Sequence, residues 1–154
     1  SATIQPLCSV NMGAGNCKRV KSFFRLGSIT VLVSSLAFVL VGELFPTAIV
    51  SIFTEPTPEV VAVAMYAIRI YFIAYLPMGF NIISATFHQS LESSREATMI
   101  SLGRGLIFLI PVLFSLSALF GVNGIWATVP VSEMLTLAMC LFLLKRLFAS
   151  KLSD

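Results

Sequence analysis

Charged residues vanish from this chain in long blocks, and the blocks define its elements. Leu26–Gly42 has none and closes at Glu43, and Ile70–Leu91 is a second run free of Asp, Glu, Lys and Arg. At 1.5 Å per residue the second run reaches about 33 Å, enough to cross a hydrocarbon core of about 30 Å. Gly105–Ser132 is too long for one crossing, and Gly121-Val122-Asn123-Gly124 interrupts it with a turn signal. The pattern predicts transmembrane helices over 26–44, 58–91, 97–120 and 125–146, the second opened by Pro58 at a favoured first-turn position. Residues 45–57 hold the apolar, proline-bounded run FPTAIVSIFT, too short to span and expected in the outer interface. Residues 92–96 read as a cytoplasmic loop, 121–124 as an external turn and 147–154 as a cytoplasmic tail. Residues 1–25 read as the end of a preceding transmembrane helix followed by a basic cytoplasmic loop. The expected fold class is an all-α integral membrane protein: four transmembrane helices plus the tail of an earlier one. The uncharged opening SATIQPLCSVNM suggests a piece of a longer chain.

Lysine and arginine alternate between these blocks. Lys18, Arg19, Lys21 and Arg25 precede the first, and 45–59 has none. Arg95 and Arg104 flank the start of the third, 121–124 has none, and Lys145, Arg146 and Lys151 follow the last. Cytoplasmic loops collect these residues, so the count places both ends of the bundle in the cytoplasm of a cell-membrane protein. Arg69 falls outside the alternation and is expected to snorkel to the outer interface. Arg104, one turn into the third helix, is expected to reach the cytoplasmic interface. A secretory signal does not fit 26–44, which exceeds an h-region, lacks a small-residue cleavage site and precedes further spans.

Composition agrees. The 154 residues are 57% hydrophobic and 11% charged, against about 25% charged for a soluble domain. Mean hydropathy is +0.95. A net charge of +3 calls for no nucleic-acid partner. Cys8, Cys17 and Cys140 form no disulfide or metal spacing, and the single histidine has no cysteine pair beside it. No cofactor is expected, nor an enzyme, since no Ser-His-Asp set or carboxylate pair is present. NMGAGNCKRVK, residues 11–21, pairs glycines with bases. It lacks the Gly-Lys-Ser/Thr of a phosphate loop and reads as a tight cytoplasmic turn that orients the next helix.

The informative residues are polar ones inside spans. Glu133 sits near the middle of the last helix, where a charge costs about 2.5–3.5 kcal/mol on insertion scales. It is expected to face the bundle or a wet cavity, as a proton or cation relay, a contact for a cationic substrate, or an interhelical hydrogen-bond partner. Asn81, Ser84 and His88 share one helical face at i, i+3, i+7, and Pro77 extends that stripe. A broken, polar-faced helix of this kind lines cavities in transporters; the plain alternative is packing between helices. His88 is expected at the interface or as a cap. Pro111 and Pro130 are expected to kink the third and fourth helices, and Trp126 to anchor at the interface.

These stretches are familiar together. QPLCSVNMGAGNCKRVK, LFPTAIVSIFT, RIYFIAYLPMGFNIISATFHQSL, ISLGRGLIFLIPVLF and FGVNGIWATVPVSE resemble, in order, successive signatures of the MATE (multidrug and toxic compound extrusion) transporters. The resemblance covers nearly the whole chain. It implies a twelve-helix parent with two six-helix lobes, of which this chain is the end of helix eight plus helices nine to twelve in the C-terminal lobe. It implies the lipid bilayer, the missing N-terminal helices and small amphipathic, often cationic, drug-like compounds as partners. Export would be driven by a proton or sodium gradient through alternating access of the lobes. Some sodium-coupled members carry a carboxylate near the position of Asn81, so the asparagine departs from that pattern. Glu133 matches an acidic position after the proline of helix twelve, and Glu92 stands where the family often has glycine. The cavity candidates are therefore Asn81, Ser84, Glu133, Pro77 and Pro130.

Two rival readings differ in chemistry. A lipid or polysaccharide flippase would need basic residues in its cavity, and no lysine or arginine is expected deep in these spans. A truncated, non-transporting remnant would only pack against other helices, since four helices cannot build a two-lobed cavity. The orientation is testable: Cys17 is expected to react with impermeant maleimide only from the cytoplasmic side. Labelling of intact cells from outside would reverse the topology.

Overall fold

The computed structural model describes residues 3–53 and 57–152; residues 1–2, 54–56 and 153–154, at the edges of three expected segments, lie outside the described residues. All regular structure among the described residues is helical: α1 Ile4–Gly13, α2 Cys17–Leu44, α3 Pro46–Phe53, α4 Pro58–Ile73, α5 Tyr75–Ser90, α6 Ser94–Leu102, a π-turn at Gly103–Ile107, α7 Leu109–Phe120 and α8 Val122–Lys151. Four stretches of these are long and apolar enough to cross a membrane: Cys17–Leu44, Pro58–Ser90, Ser94–Phe120 and Val122–Lys151.

The first span begins earlier than residue 26, because the basic segment is itself helical. Lysine and arginine are good helix formers, and the buried Val20 and Phe24 give this extension a packing face. The loop shrinks to the turn after α1. There Asn16 N–H donates to Asn11 O (2.8 Å) and Gly15 N–H to Met12 O (3.0 Å), a Schellman ending with Gly15 left-handed at φ +72°. The segment 45–57 contains the short helix α3. At the other end, the expected tail is largely helix, since α8 continues to Lys151, whose ammonium donates to Leu91 O.

Prolines account for the breaks. Pro77 has no N–H, so Ile73 O loses its helical partner. Ala74 N–H donates to Tyr71 O instead (3.0 Å), and the second span divides into α4 and α5. Pro111 likewise deprives Ile107 O, and the irregularity falls just upstream: Phe108 N–H reaches back to Gly103 O at 2.9 Å, closing the π-turn. Pro130 leaves α8 continuous. The turn before α8 is tighter than GVNG suggests. Gly121 alone makes it, at φ +58°. Gly124 already lies in α8, where a Cβ would stand 1.9 Å from Leu116 O, so only glycine allows α7 and α8 to approach so closely.

The bundle packs hardest at its basic end. Ile4, Cys8, Val20, Phe24, Ile83, Phe87, Leu91, Leu144, Leu147 and Leu152 form one buried cluster from α1, α2, α5 and α8 and the residues that cap the last two. Phe24 stacks on Phe87 with centroids 4.2 Å apart. At the other end Arg69 approaches Glu43 at 3.8 Å, both half-exposed, a contact worth little. Large apolar side chains such as Phe38, Phe114, Leu119 and Phe142 point outwards, as a lipid-facing surface requires. The loop expected at 92–96 is a brief turn, and Glu92 holds φ +55° there, a conformation that costs a non-glycine residue about 1–2 kcal/mol. Glu92→Gly is therefore expected to raise stability in detergent by about 0.5–1 kcal/mol after glycine's own entropy cost, read as a higher midpoint of thermal unfolding. A lower midpoint would mean that the Glu92 side chain contributes more than the strain removes.

Candidate functional site

Three helical segments converge on Glu133. By rise, it lies about 17 Å into α8 from Val122, near the middle of a bilayer core. Its side chain is 4% exposed. Asn81, fully buried on α5, donates from Nδ2 to Glu133 Oε2 at 2.8 Å and to the Glu133 backbone carbonyl at 2.9 Å. The second bond adds a tie to the α8 main chain three residues after Pro130. Arg104 donates from Nε (3.2 Å) and Nη2 (3.1 Å) to Glu133 Oε1. Each carboxylate oxygen is thus held from a different element.

Arg104 corrects the expectation that it reaches the cytoplasmic interface, and with it the expectation that no base lies deep in the spans. It sits in the π-turn, whose extra residue rotates the face presented to α8. Gly103 beside it packs against the tip of Met139, where a Cβ would meet Met139 Cε at 2.6 Å, a contact that the flexible methionine can relieve. From there the long stem reaches along the bundle to the carboxylate. The pair carries no net charge, which limits the cost of placing either ion inside the bundle. Arginine suits the position because its guanidinium is weakly hydrated and forked.

The remaining candidates divide. Ser84 is fully buried on the Asn81 face of α5, and its hydroxyl has no hydrogen-bond partner among the described residues. Asn81 Oδ1 and Ser28 Oγ share that condition. Pro77 lies in the first turn of α5 and faces a shallow apolar groove with Leu76, Phe80 and Met134. Pro130 stands in α8, one turn before Glu133. His88 lies in the last turn of α5, fully buried within the bundle. Its Nδ1 donates to Ser84 O at 2.8 Å, since a carbonyl only accepts, and Nε2 is left without a partner. Among the described residues no group of His, Cys, Asp and Glu is arranged to hold a metal ion.

Four helices of membrane-spanning length, packed around a polar contact inside the bundle, are the architecture of a polytopic membrane protein. The MatE family model matches residues 1–115, well over half of the chain, which therefore belongs to the MatE family. The match includes Asn81 and Arg104 and ends before Glu133. The chain is similar to the FAD transporter of Shewanella oneidensis, 26% identical over 147 residues, covering 96% of this chain and 32% of that protein. It is also similar to the multidrug export protein MepA of Staphylococcus haemolyticus, 24% identical over 143 residues, covering 93% and 31%. It spans about a third of the length of these relatives. No solved structure gives a significant match.

The ion pair makes a testable asymmetry. Arg104→Gln strands a carboxylate that is 4% exposed, whereas Glu133→Gln strands a guanidinium that is 27% exposed. The first is expected to cost about 3 kcal/mol and the second about 1–2 kcal/mol. The double variant is expected to be more stable than Arg104→Gln alone. Unfolding midpoints in detergent that simply add would show that the two side chains are not coupled.

Proposed function

We propose that this chain forms part of a cation-coupled MATE exporter that moves aromatic, amphipathic compounds out of the cell by alternating access, with its C-terminus cytoplasmic. The observation that carries the reading is the buried Glu133, shared between Asn81 of α5 and Arg104 of the π-turn. The names of the two relatives cover a flavin dinucleotide and drugs, and an aromatic amphiphile satisfies both. The rest of the two-lobed cavity belongs to helices beyond this chain, which spans about a third of its relatives.

Charge balance supplies the mechanism. A proton or sodium ion arriving at Glu133 replaces the positive charge that Arg104 provides, so the cation and the guanidinium compete for one carboxylate. When the cation wins, the link from the π-turn to α8 opens. Asn81 still holds the Glu133 backbone carbonyl, so α5 and α8 stay together while the segment carrying Arg104 is released. The broken backbones at Ala74 and at Gly103–Ile107 allow such a movement without unfolding a span. Cation binding then favours one access state and cargo the other, by their differential affinities.

The test uses the full-length transporter that contains this chain. Ethidium export from cells carrying Glu133→Gln is expected to fall about tenfold or more, equivalent to losing about 1.4 kcal/mol from the limiting step, and to stop in wild type when the proton and sodium gradients are collapsed together. Unchanged export in the variant would remove Glu133 from the mechanism, and export that survives gradient collapse would remove the coupling.

A further inference from the structure

We propose that the groove between α5 and α6 is an anion subsite, in which Arg104 receives a phosphoryl group approaching from the basic end of the bundle. This rests on the transporter reading above and names a chemical group for its cargo. The groove encloses about 420 Å³, a volume typical of small-molecule sites. Its polar lining is Thr86 and Gln89 on α5, Ser94, Thr98 and Ser101 on α6, and Arg104 beyond them. Ser94, Thr98 and Ser101 recur at helical spacing, so their hydroxyls form one edge. None of the lining side chains is acidic. Thr86 donates to Ile82 O, whereas the side chains of Gln89, Ser94, Thr98 and Ser101 make no hydrogen bond among the described residues. All four are exposed along the groove, where their donors can reach a bound anion. Ala85 and Leu102 add apolar wall, which suits the body of an amphiphile.

Arg104 gives the groove its sign. Glu133 engages only Nε and Nη2, through one oxygen. The other N–H groups of its five have no acceptor among the described residues. The guanidinium is 27% exposed while the carboxylate is 4% exposed. An anion in the groove therefore meets the base and not the acid. Ser94 opens α6, so the positive end of that helix faces the mouth, about 15 Å from Arg104 by rise. A phosphoryl group fits the fork of donors better than a point contact would. Because the bound anion and Glu133 share one guanidinium, the carboxylate's charge opposes the anion's. Removing the charge of Glu133 must strengthen anion binding, and removing Arg104 as well must abolish it. A purely structural ion pair has no reason to show opposite signs.

The experiment is equilibrium binding to the full-length transporter in phosphatidylcholine nanodiscs, with 1-naphthyl phosphate as probe and 1-naphthol as its uncharged control, read by naphthalene fluorescence. Glu133→Gln is expected to bind the phosphate about threefold more tightly than wild type. Glu133→Gln with Arg104→Gln is expected to bind it about tenfold more weakly than Glu133→Gln alone, with naphthol unchanged throughout. Should the double variant fail to fold, Thr98→Val with Ser101→Ala in the Glu133→Gln background tests the other edge, with about threefold weaker binding expected. Repeating the titration in phosphatidylglycerol nanodiscs identifies the source. Competition assigns the groove to an inner-leaflet headgroup, and no competition assigns it to a soluble phosphorylated solute. Equal phosphate affinity with and without Arg104, or with and without the two hydroxyls where that variant stands in, overturns the proposal. Binding is read without a gradient, so its loss is separable from a loss of coupled export.

Discussion

Inside a bilayer a polar group has no water to fall back on, and the contact at Glu133 answers that constraint for the most deeply placed charge of the bundle. Its carboxylate takes Asn81 on one oxygen and Arg104 on the other, and its backbone carbonyl takes Asn81 again. The carbonyl bond bears directly on α8, the most buried of the four spans. Pro130 removes a main-chain donor one turn earlier, so this part of α8 leans on its neighbours more than an unbroken helix would. α5 and α8 are therefore tied at depth by hydrogen bonds and at the basic end by the Phe24, Phe87 and Phe148 cluster. The two kinds of tie differ in consequence. Aromatic packing is insensitive to charge, whereas the tie at Glu133 is not.

The backbone irregularities fall where this difference matters. α5 starts immediately after the break at Ala74, so Asn81 sits on a helix segment of 16 residues rather than in a continuous span of 33. Arg104 lies within the π-turn itself. Two of the three elements that hold Glu133 are thus joined to the rest of their spans by segments lacking a full set of helical hydrogen bonds. Short rigid pieces with loose junctions can shift against α8 at less cost than whole spans can. The aromatic tie at the basic end keeps such a shift from separating α5 from α8.

The spans were legible because runs without charge are long, and the turns were legible where glycine stands at a left-handed position, as at Gly15 and Gly121. The start of α2 was not, since Lys18, Arg19, Lys21 and Arg25 mark a membrane boundary by charge and yet favour helix by propensity. Asn81 and Glu133 stood out as polar residues in apolar runs, but their partnership depends on the relative depth of two helices that are far apart in sequence. Arg104 was misplaced for a specific reason. A charge count along the chain assigns a base near the end of a span to the nearer interface, and the π-turn sends this one the other way. A usable signal was present: opposite charges at Arg104 and Glu133, on helices joined by the single residue Gly121, are antiparallel neighbours and stand at comparable depth.

Neutrality is what makes the pair versatile. A lone buried glutamate attracts only cations, and a lone buried arginine only anions. Paired, each masks the other, and the bundle tolerates both at membrane depth. A cation that engages Glu133 weakens its hold on Arg104, and an anion at the proposed subsite weakens Arg104's hold on Glu133, so either event alone leaves one charge uncompensated. Both together restore balance. The unequal exposure of the two side chains gives this an order: the guanidinium, reachable from the groove, meets an anion first, and the sealed carboxylate is reached only as the pair opens. On physical grounds alone, a site of this composition favours taking up opposite charges together over exchanging one for the other at Glu133. In the proposed exporter, exchange of cation for cargo then comes from the change of access state, and competition at the Glu133 carboxylate serves only to open the link from the π-turn to α8.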